Sequence, residues 1–173
     1  MLRTIKFCFA LCGLLLAANL SAQTASKYGH TNMGNLLELM PETKTAEATL
    51  KVYADTLTAK DEMMTKAFEK EYIDFQTKYQ KGELTPVQAQ ELQTKLEKAQ
   101  ADIQKFEQEA QQMIAAKRDE LLTPILKRVS DAIKAVATEN QYLMIFDSST
   151  GLMLFAADSE DVTAKVKQKL NLQ

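Results

Sequence analysis

The chain has 173 residues, with 21 basic and 23 acidic side chains, 46% hydrophobic residues and two cysteines. This slightly acidic balance argues against nucleic acid as a partner, which would favour a basic face. Both cysteines lie within the first twelve residues. The rest of the chain therefore has no thiol chemistry and needs no disulfide in an oxidising compartment.

Residues 1–22 have the organisation of a secretory signal peptide. Arg3 and Lys6 precede an apolar stretch, and the small residue Ala22 offers a cleavage point. The stretch is too short to span a bilayer comfortably, which argues against a retained anchor. Cleavage would leave 19 basic residues against 23 acidic ones, a net charge of −4. We therefore predict an exported protein.

The next segment predicts a strand followed by a short helix. Residues 28–33 are rich in β-compatible side chains and are bounded by glycine and asparagine. Asn35 can cap a short helix that Pro41 interrupts or redirects. His30 is the only histidine of the chain, and its sequence neighbours offer no ligand or base partner. We interpret it as a strand residue rather than a metal ligand or general base.

Two helical runs of nearly equal length follow, joined by a turn at residues 81–86. Apolar and aromatic residues recur along both runs mostly at steps of three and four, the pattern that holds one seam against a partner helix. The predicted seam residues are Leu50, Leu57, Met64, Phe68, Tyr72, Phe75, Tyr79, Leu92, Leu96, Ile103, Phe106 and Met113. At 1.5 Å per residue each arm would be about 55–60 Å long. Such an arm has no globular interior, which favours holding or spanning over catalysis.

The turn between the runs supports an antiparallel hairpin. Gly82 suits the left-handed conformation that ends a helix, and Thr85 is a good N-cap ahead of Pro86. Gln88, three residues after Thr85, completes a capping box. Polar Lys60-Asp61 interrupts the seam midway, so we expect the arm to loosen there.

The last part of the chain predicts a β-hairpin and a final helix. Pro124 is expected to kink or restart the helix where the arm enters the body. Residues 142–146 and 152–156 are apolar and are separated by turn residues, which predicts two paired strands. A helix is then expected to begin near Ser159 or Asp161, with Val162, Val166 and Leu170 on one face.

The predicted fold class is α+β, mainly α. Residues 42–122 form a long antiparallel coiled-coil helical hairpin. Residues 23–41 and 123–173, from both chain ends, form a small β-strand body for oligomerisation. A body of some 70 residues buries too little surface to be comfortable alone. Its strands cannot make a stable sheet by themselves, so we expect them to join strands of sister chains.

These elements, in this order, resemble the Skp/OmpH family of periplasmic chaperones. The resemblance is carried by the strand at 28–33, the Met40-Pro41 step, the long hairpin, the sequences Leu-Leu-Thr-Pro-Ile at 121–125 and Ala-Ile-Lys-Ala-Val-Ala at 132–137, the strand at 142–147 and the helix from Asp161. It implies a homotrimer in the periplasm, with a small β-barrel body and three helical arms around a cavity. Unfolded outer-membrane proteins would be held there without ATP until they reach the outer-membrane insertion machinery.

The resemblance also directs the site assignments. The predicted trimerisation-strand residues are Tyr28, Thr31, Met33, Leu143, Ile145, Leu152 and Leu154. The candidate client-binding residues are Met63, Ala67, Ile73 and Ile114, apolar residues that fall outside the predicted seam. The alternative is that they only widen the contact between the two helices. No catalytic residue, cofactor site or metal site is predicted, so the chain is not expected to be an enzyme.

Charge on the arms sets a limit to the resemblance. Family members with strongly basic arms are thought to use that charge on clients and on anionic lipid. Between Lys51 and Glu120 this chain has 11 basic and 14 acidic residues, which puts basic capture in doubt and leaves peripheral lipid contact open. The alternative function is a structural coiled-coil spacer or adaptor of the cell envelope, which would favour one tightly bound partner over many unfolded ones.

Overall fold

A computed structural model describes residues 26–172, so the predicted signal peptide lies outside the described residues. In chain order the elements are strand β1 (Lys27–Thr31), helices α1 (Met33–Leu39), α2 (Pro41–Gln80) and α3 (Pro86–Glu139), strand β2 (Tyr142–Asp147), a 3₁₀ turn (Asp158–Glu160) and helix α4 (Thr163–Leu170). The predicted class is confirmed: a mainly helical α+β chain with a long helical hairpin and a small strand pair. None of the helices in the described part of the chain combines the length and the hydropathy needed for a transmembrane span.

The hairpin of α2 and α3 turns where the sequence predicts. Gly82 takes a φ of +68°, and its N–H bonds the Tyr79 carbonyl at 3.1 Å. Thr85 accepts a hydrogen bond from the Gln88 N–H at 3.3 Å, and the Gln88 side chain accepts one from the Thr85 N–H at 3.0 Å. This reciprocal pair satisfies two N–H groups that the first helical turn leaves free, so the predicted capping box is confirmed.

Helix α3 passes through Pro124 without a break and runs for 54 residues. The predicted restart of the helix is therefore wrong. Proline lacks an N–H, so the carbonyl four residues earlier loses its helical partner. The helix nevertheless continues because Ile125 and Val129, directly after the proline, are buried in the core of the body. Packing at the base of the arm outweighs the local cost.

Helix α1 begins earlier than predicted. Asn32, not Asn35, is its N-cap, and the Asn32 side chain accepts a hydrogen bond from the Asn35 N–H at 2.9 Å. Met33 therefore belongs to the helix and not to the strand, and its N–H donates to Asp147 at 3.2 Å. The predicted strand is correct only as far as Thr31. Helix α1 ends before Pro41, as predicted.

The core lies at the base of the arm. There α1 and α4 pack against the first residues of α2 and against the part of α3 that follows Pro124. The buried members of the core are Leu36, Met40, Ala46, Ile125, Val129, Ala132, Val136, Val162, Val166 and Leu170. The last three lie four residues apart and form the inner face of α4, as the sequence predicts. The helix itself starts later than expected, at Thr163, because a 3₁₀ turn occupies Asp158–Glu160.

The sheet of the described residues has two parallel strands, with Gly29 opposite Ile145 and Thr31 opposite Asp147. The predicted hairpin of 142–146 with 152–156 is wrong within the single chain, because 152–156 is not a strand. Strand β2 pairs with β1 instead. The Asp147 carboxylate then binds the start of α1 and the Ser149 N–H, so the chain leaves the sheet without reversing along β2.

Candidate functional site

The seam of the arm is narrow, and few of its side chains are fully enclosed. Leu57, Leu96 and Phe106 are buried, at 9%, 7% and 6% exposure. The other predicted seam residues Leu50, Met64, Phe68, Phe75, Leu92, Ile103 and Met113 are half-buried. Each has one partner helix and solvent on the open sides. The arm therefore encloses no cavity of its own that could serve as a conventional pocket.

Two predicted seam residues lie at its edge. Tyr72 and Tyr79 are 45% and 61% exposed, so they are the least enclosed of the predicted seam residues. Their rings instead pack along the helix against the phenylalanines one turn earlier: Phe68 and Tyr72 stack at 6.0 Å, and Phe75 and Tyr79 lie 5.8 Å apart. The distal half of α2 thus carries partly exposed aromatic surface.

The candidate client-binding residues divide into two groups. Met63 and Ile73 are 72% and 63% exposed, and Ala67 is exposed as well; all three are on α2. Ile114 is half-buried on α3, next to seam residue Met113, and so lies on a different helix from the other three. Sequence reasoning missed Val52, which is 65% exposed. Its spacing of eleven residues from Met63, three helical turns, was the available signal.

About half of the cationic groups on the arm are paired with acidic groups of the same arm. Six ion pairs involve its lysines: Lys51–Asp55, Lys66–Glu62, Lys78–Asp74, Lys95–Glu71, Lys105–Glu109 and Lys117–Glu120. The hydrogen bond to Asp74, with the attraction of its charge, raises the pKa of Lys78. Such exposed pairs stabilise only by about 0–1 kcal/mol each. Between Lys51 and Glu120 of the described residues, five further cationic groups form no such pair and remain open to an anionic ligand: Lys60, Lys70, Lys81, Lys98 and Arg118.

The body has an open strand edge. Leu143, Met144 and Phe146 on β2 are 61%, 52% and 46% exposed, and the Phe146 ring lies 6.5 Å from that of Tyr28. Strand β2 pairs with β1 on one side, and no other strand of the described residues covers its second side. An uncovered edge of this kind offers free N–H and C=O groups to a further strand.

The segment after β2 is apolar and exposed. Leu152, Leu154 and Phe155 are 86%, 98% and 86% exposed, in extended chain between β2 and the 3₁₀ turn. The far end of this segment is held by His30, whose Nε2 lies 3.1 Å from the Ala157 carbonyl oxygen. His30 thus has a structural contact in the single chain.

Two predicted trimerisation residues already have partners within the chain. Thr31 is 1% exposed, and its hydroxyl lies 2.9 Å from that of Thr163. Met33 belongs to α1. Placing Met33 in the strand was therefore wrong, whereas Thr31 does lie in β1 and its part in trimerisation stays a prediction. Tyr28, Leu143, Leu152 and Leu154 are exposed and Ile145 is half-buried.

Two carboxylates fix the body around this edge. Burial disfavours the charged form of Asp147, but hydrogen bonds from Ser149 and the Met33 N–H outweigh it and hold the pKa of Asp147 below its ordinary value. Burial likewise opposes ionisation of Asp161, yet hydrogen bonds from Thr163 and nearby positive charge lower the pKa of that carboxyl. Both groups support the fold and face no cavity that would hold a substrate.

Pockets of the described residues are shallow. A groove of about 590 Å³ lies beside the base of the arm, lined by Met40, Pro41, Ala46, Pro124 and Ile125 among others. Its polar lining residues are Glu42, Thr45 and Arg128; Glu42 is ion-paired with Arg128, and the Thr45 hydroxyl donates to the Pro41 carbonyl. Over residues 26–172, no three His, Cys, Asp or Glu side chains are grouped so that they could hold a metal ion. The surface is suited to binding polypeptide by apolar contact and by strand addition.

Comparison with known proteins identifies the family. Residues 27–170 match the family described as outer membrane protein (OmpH-like). The chaperone protein Skp of Pectobacterium atrosepticum is 27% identical, with 94% of this chain and 96% of that protein covered. Skp of Yersinia enterocolitica is 30% identical, with the same coverage of each chain.

The architecture also matches a solved structure. An OmpH-like protein from Caulobacter crescentus superimposes with a TM-score of 0.69 at 16% identity, covering 87% of this chain and 86% of that one. At this identity the likeness concerns the fold alone. Together with the sequence matches to Skp chaperones along almost the whole described chain, it leads to one conclusion: this chain belongs to the OmpH-like family.

Proposed function

We propose that this chain is a periplasmic holdase chaperone that works without ATP. Three copies associate through their bodies, and unfolded outer-membrane proteins are held between the three arms, which prevents aggregation before membrane insertion. The observation that carries this proposal is the pairing of a thin, solvent-exposed arm with a body whose strand edge is unfinished. The similarity to Skp chaperones along 94% of the chain supports the same conclusion.

The arm supports holding rather than catalysis. Its seam residues hold α2 against α3, while Met63, Ala67, Ile73 and, less accessibly, Ile114 are the apolar groups available to a client. Exposed apolar side chains on a thin support make scattered contacts with an unfolded chain, and none of these contacts requires a fixed sequence. A flexible methionine adapts to many partners. The client is then released by the insertion machinery that accepts it.

The body supports self-association. The free edge of β2 and the exposed segment at 152–155 lie in the same part of the chain, and together they leave six large apolar side chains in water. A sister chain that added this segment to β2 would satisfy the backbone groups of the edge and cover the side chains at once. Tyr28 and Leu143 would lie at the same junction.

Two measurements on the protein without residues 1–22 test the proposal. Light scattering at micromolar concentration should give the mass of a trimer. A urea-unfolded outer-membrane β-barrel protein, diluted into buffer with a stoichiometric amount of trimer and no nucleotide, should stay in solution. A monomeric protein, or aggregation that proceeds as in its absence, would contradict the proposal.

A matched pair of variants locates the association surface. Leu154→Asp places a charge on the 98% exposed residue of the segment and should convert the trimer into monomers. Val87→Asp places the same charge on a 67% exposed residue at the tip of the arm and should leave the trimer intact. Circular dichroism should show the same helix content in both, so that a loss of trimer cannot be a loss of folding.

A further inference from the structure

The two helices of the arm differ in what they expose. Along its arm portion α2 exposes five large apolar or aromatic residues: Val52, Met63, Tyr72, Ile73 and Tyr79. Over residues 86–122 of α3, the only large apolar residue that is exposed is Val87, next to the turn. The remainder of the outer face of α3 is polar or carries alanine, as at Ala101, Gln108, Gln112 and Ala115. The large exposed apolar residues of the arm therefore lie almost entirely on α2, where polar residues such as Lys66 and Lys70 are interspersed with them, whereas the outer face of α3 is polar.

Apart from Tyr72 and Tyr79, which lie at the edge of the seam, the exposed apolar residues of α2 are not an extension of the seam. At 100° per residue, Val52, Ala59, Met63, Ala67 and Ile73 fall within a sector of about 120°. The centre of this sector lies about 145° around the helix from the centre of the seam residues. We call these five residues the outer stripe. They point away from α3, so no residue of their own arm can cover them.

We propose that clients contact the arm on one side only, through the outer stripe of α2, and that the segment bound there is an extended, mostly uncharged apolar stretch of an unfolded polypeptide. This inference rests on the proposed holdase function and specifies the surface that performs it. The outer face of α3 is then the solvent side of the arm.

Charge next to the outer stripe favours this occupant. The pairs Lys51–Asp55 and Lys66–Glu62 border it, at 2.8 and 3.3 Å, and neutralise one another within α2. Lys70, between Ala67 and Ile73, is the one cation within the stripe that forms no ion pair in the described residues. A surface with a single free cation offers little to an anionic lipid headgroup or to nucleic acid, whereas an apolar segment finds apolar side chains between neutral pairs.

The shape of the outer stripe distinguishes an extended client from a sister arm. A helix that packs against α2 would need large apolar residues at alternating steps of three and four. The stripe has steps of seven, four, four and six, and two of its five residues are alanines. Ala59 and Ala67 lie one turn on either side of Met63, which leaves room for a backbone to approach α2 closely. Met63 can adjust its side chain to whatever residue arrives.

Site-specific photo-crosslinking tests the assignment directly. A photoreactive amino acid is introduced at Met63 or Ile73 in the outer stripe, and at Ala101 or Gln112 on the outer face of α3 as matched controls. Each protein is mixed with a urea-unfolded outer-membrane β-barrel protein as it is diluted, and then illuminated. We expect client crosslinks at the two α2 positions and at least about tenfold fewer at the α3 positions.

Three results would overturn the inference. Equal client crosslinking on both helices would mean that the arm has no preferred side. Crosslinks from Met63 to a sister chain would make the stripe an interface between copies. No client crosslink at any of these positions, from a protein that still suppresses aggregation, would place the binding surface elsewhere. Failure of the unmodified protein to suppress aggregation would be different, because it would refute the proposed function and this inference with it.

A pair of double variants adds a quantitative check. Met63→Gln with Ile73→Gln removes two of the three large apolar side chains of the outer stripe at nearly constant helix propensity and should weaken client binding by about tenfold or more. Ala101→Gln with Ala115→Gln makes an equal number of changes on the polar side and should alter affinity by less than about twofold. Both should remain trimeric. Equal affinities for the two variants would contradict the inference.

Discussion

Replacing Phe106 by alanine should weaken the middle of the arm more than any exposed aromatic substitution on α2. Phe106 is 6% exposed in the seam, and the Lys60 ammonium lies 4.5 Å from its ring centre. Burying an aromatic side chain contributes about 1.5–3 kcal/mol, and the cation–π contact adds about 0.5–1 kcal/mol. The higher helix propensity of alanine offsets this loss by a few tenths of a kcal/mol. The net loss should be about 2–3 kcal/mol.

The cost should stay below the upper range for phenylalanine in a closed core. A two-helix arm is open at its sides, so the space left by the ring can collapse or fill with water, and little cavity penalty is added. Tyr79→Ala is the matched control. Tyr79 is 61% exposed and packs mainly on Phe75, so its loss should cost about 1 kcal/mol.

Hydrogen exchange is the suitable assay, because the arm opens locally and need not unfold together with the body. Amides of residues 97–113 should exchange about 30- to 150-fold faster in Phe106→Ala, as 1.4 kcal/mol corresponds to a factor of ten. In Tyr79→Ala the increase should be under about tenfold and confined to the tip. Equal increases for the two variants would refute the distinction between a buried seam and an exposed edge.

Three further predictions concern the body and the tip. In Gly29→Ala the new Cβ would meet the Tyr142 ring at 3.1 Å, so the melting temperature should fall as for a destabilisation of about 1–3 kcal/mol; an unchanged melting temperature would show that the ring simply moves aside. Because the pKa of Asp147 is lower in the folded state, its contribution is present above about pH 3.9, its unfolded value, and is lost as the pH falls through the folded value. Asp147→Asn should therefore lower stability to urea at pH 7 and flatten its decline in acid, and parallel curves for the two proteins would contradict this. Thr85→Ala should cost about 1 kcal/mol and speed exchange at the turn without changing client binding, whereas Thr85→Ser should behave like the unmodified protein.

The parts of the fold that were predictable from sequence depend on local chemistry. The steps of three and four between apolar residues set a helical seam, and Thr85, Pro86 and Gln88 set the start of α3 because capping involves only neighbours in the chain. The same reasoning predicted the inner face of α4. In each case the deciding interactions span one or two helical turns.

The wrong predictions concern positions whose structure depends on contacts with residues far away in the sequence. Asn32 and Asn35 are equally good caps by composition, and the choice follows from Asp147, which binds the first N–H of α1 from 114 residues away. Pro124 should break a helix, but α3 continues since the core holds the residues after the proline. No pattern along the chain contains these contacts.

The strand error has a different cause, and it bears on function. Residues 142–146 and 152–156 both have strand composition, and in a single chain only the first becomes a strand, in parallel with β1. A parallel pair of two short strands is marginal by itself, and Leu154 is left 98% exposed. That the second segment joins a sheet stays a prediction, and composition could not say whether the partner strand belongs to the same chain or to a sister chain. If the missing partner is a sister chain, stability of the body must rise with protein concentration, since association and folding are then linked. The arm should not share this dependence, because its seam is complete within one copy.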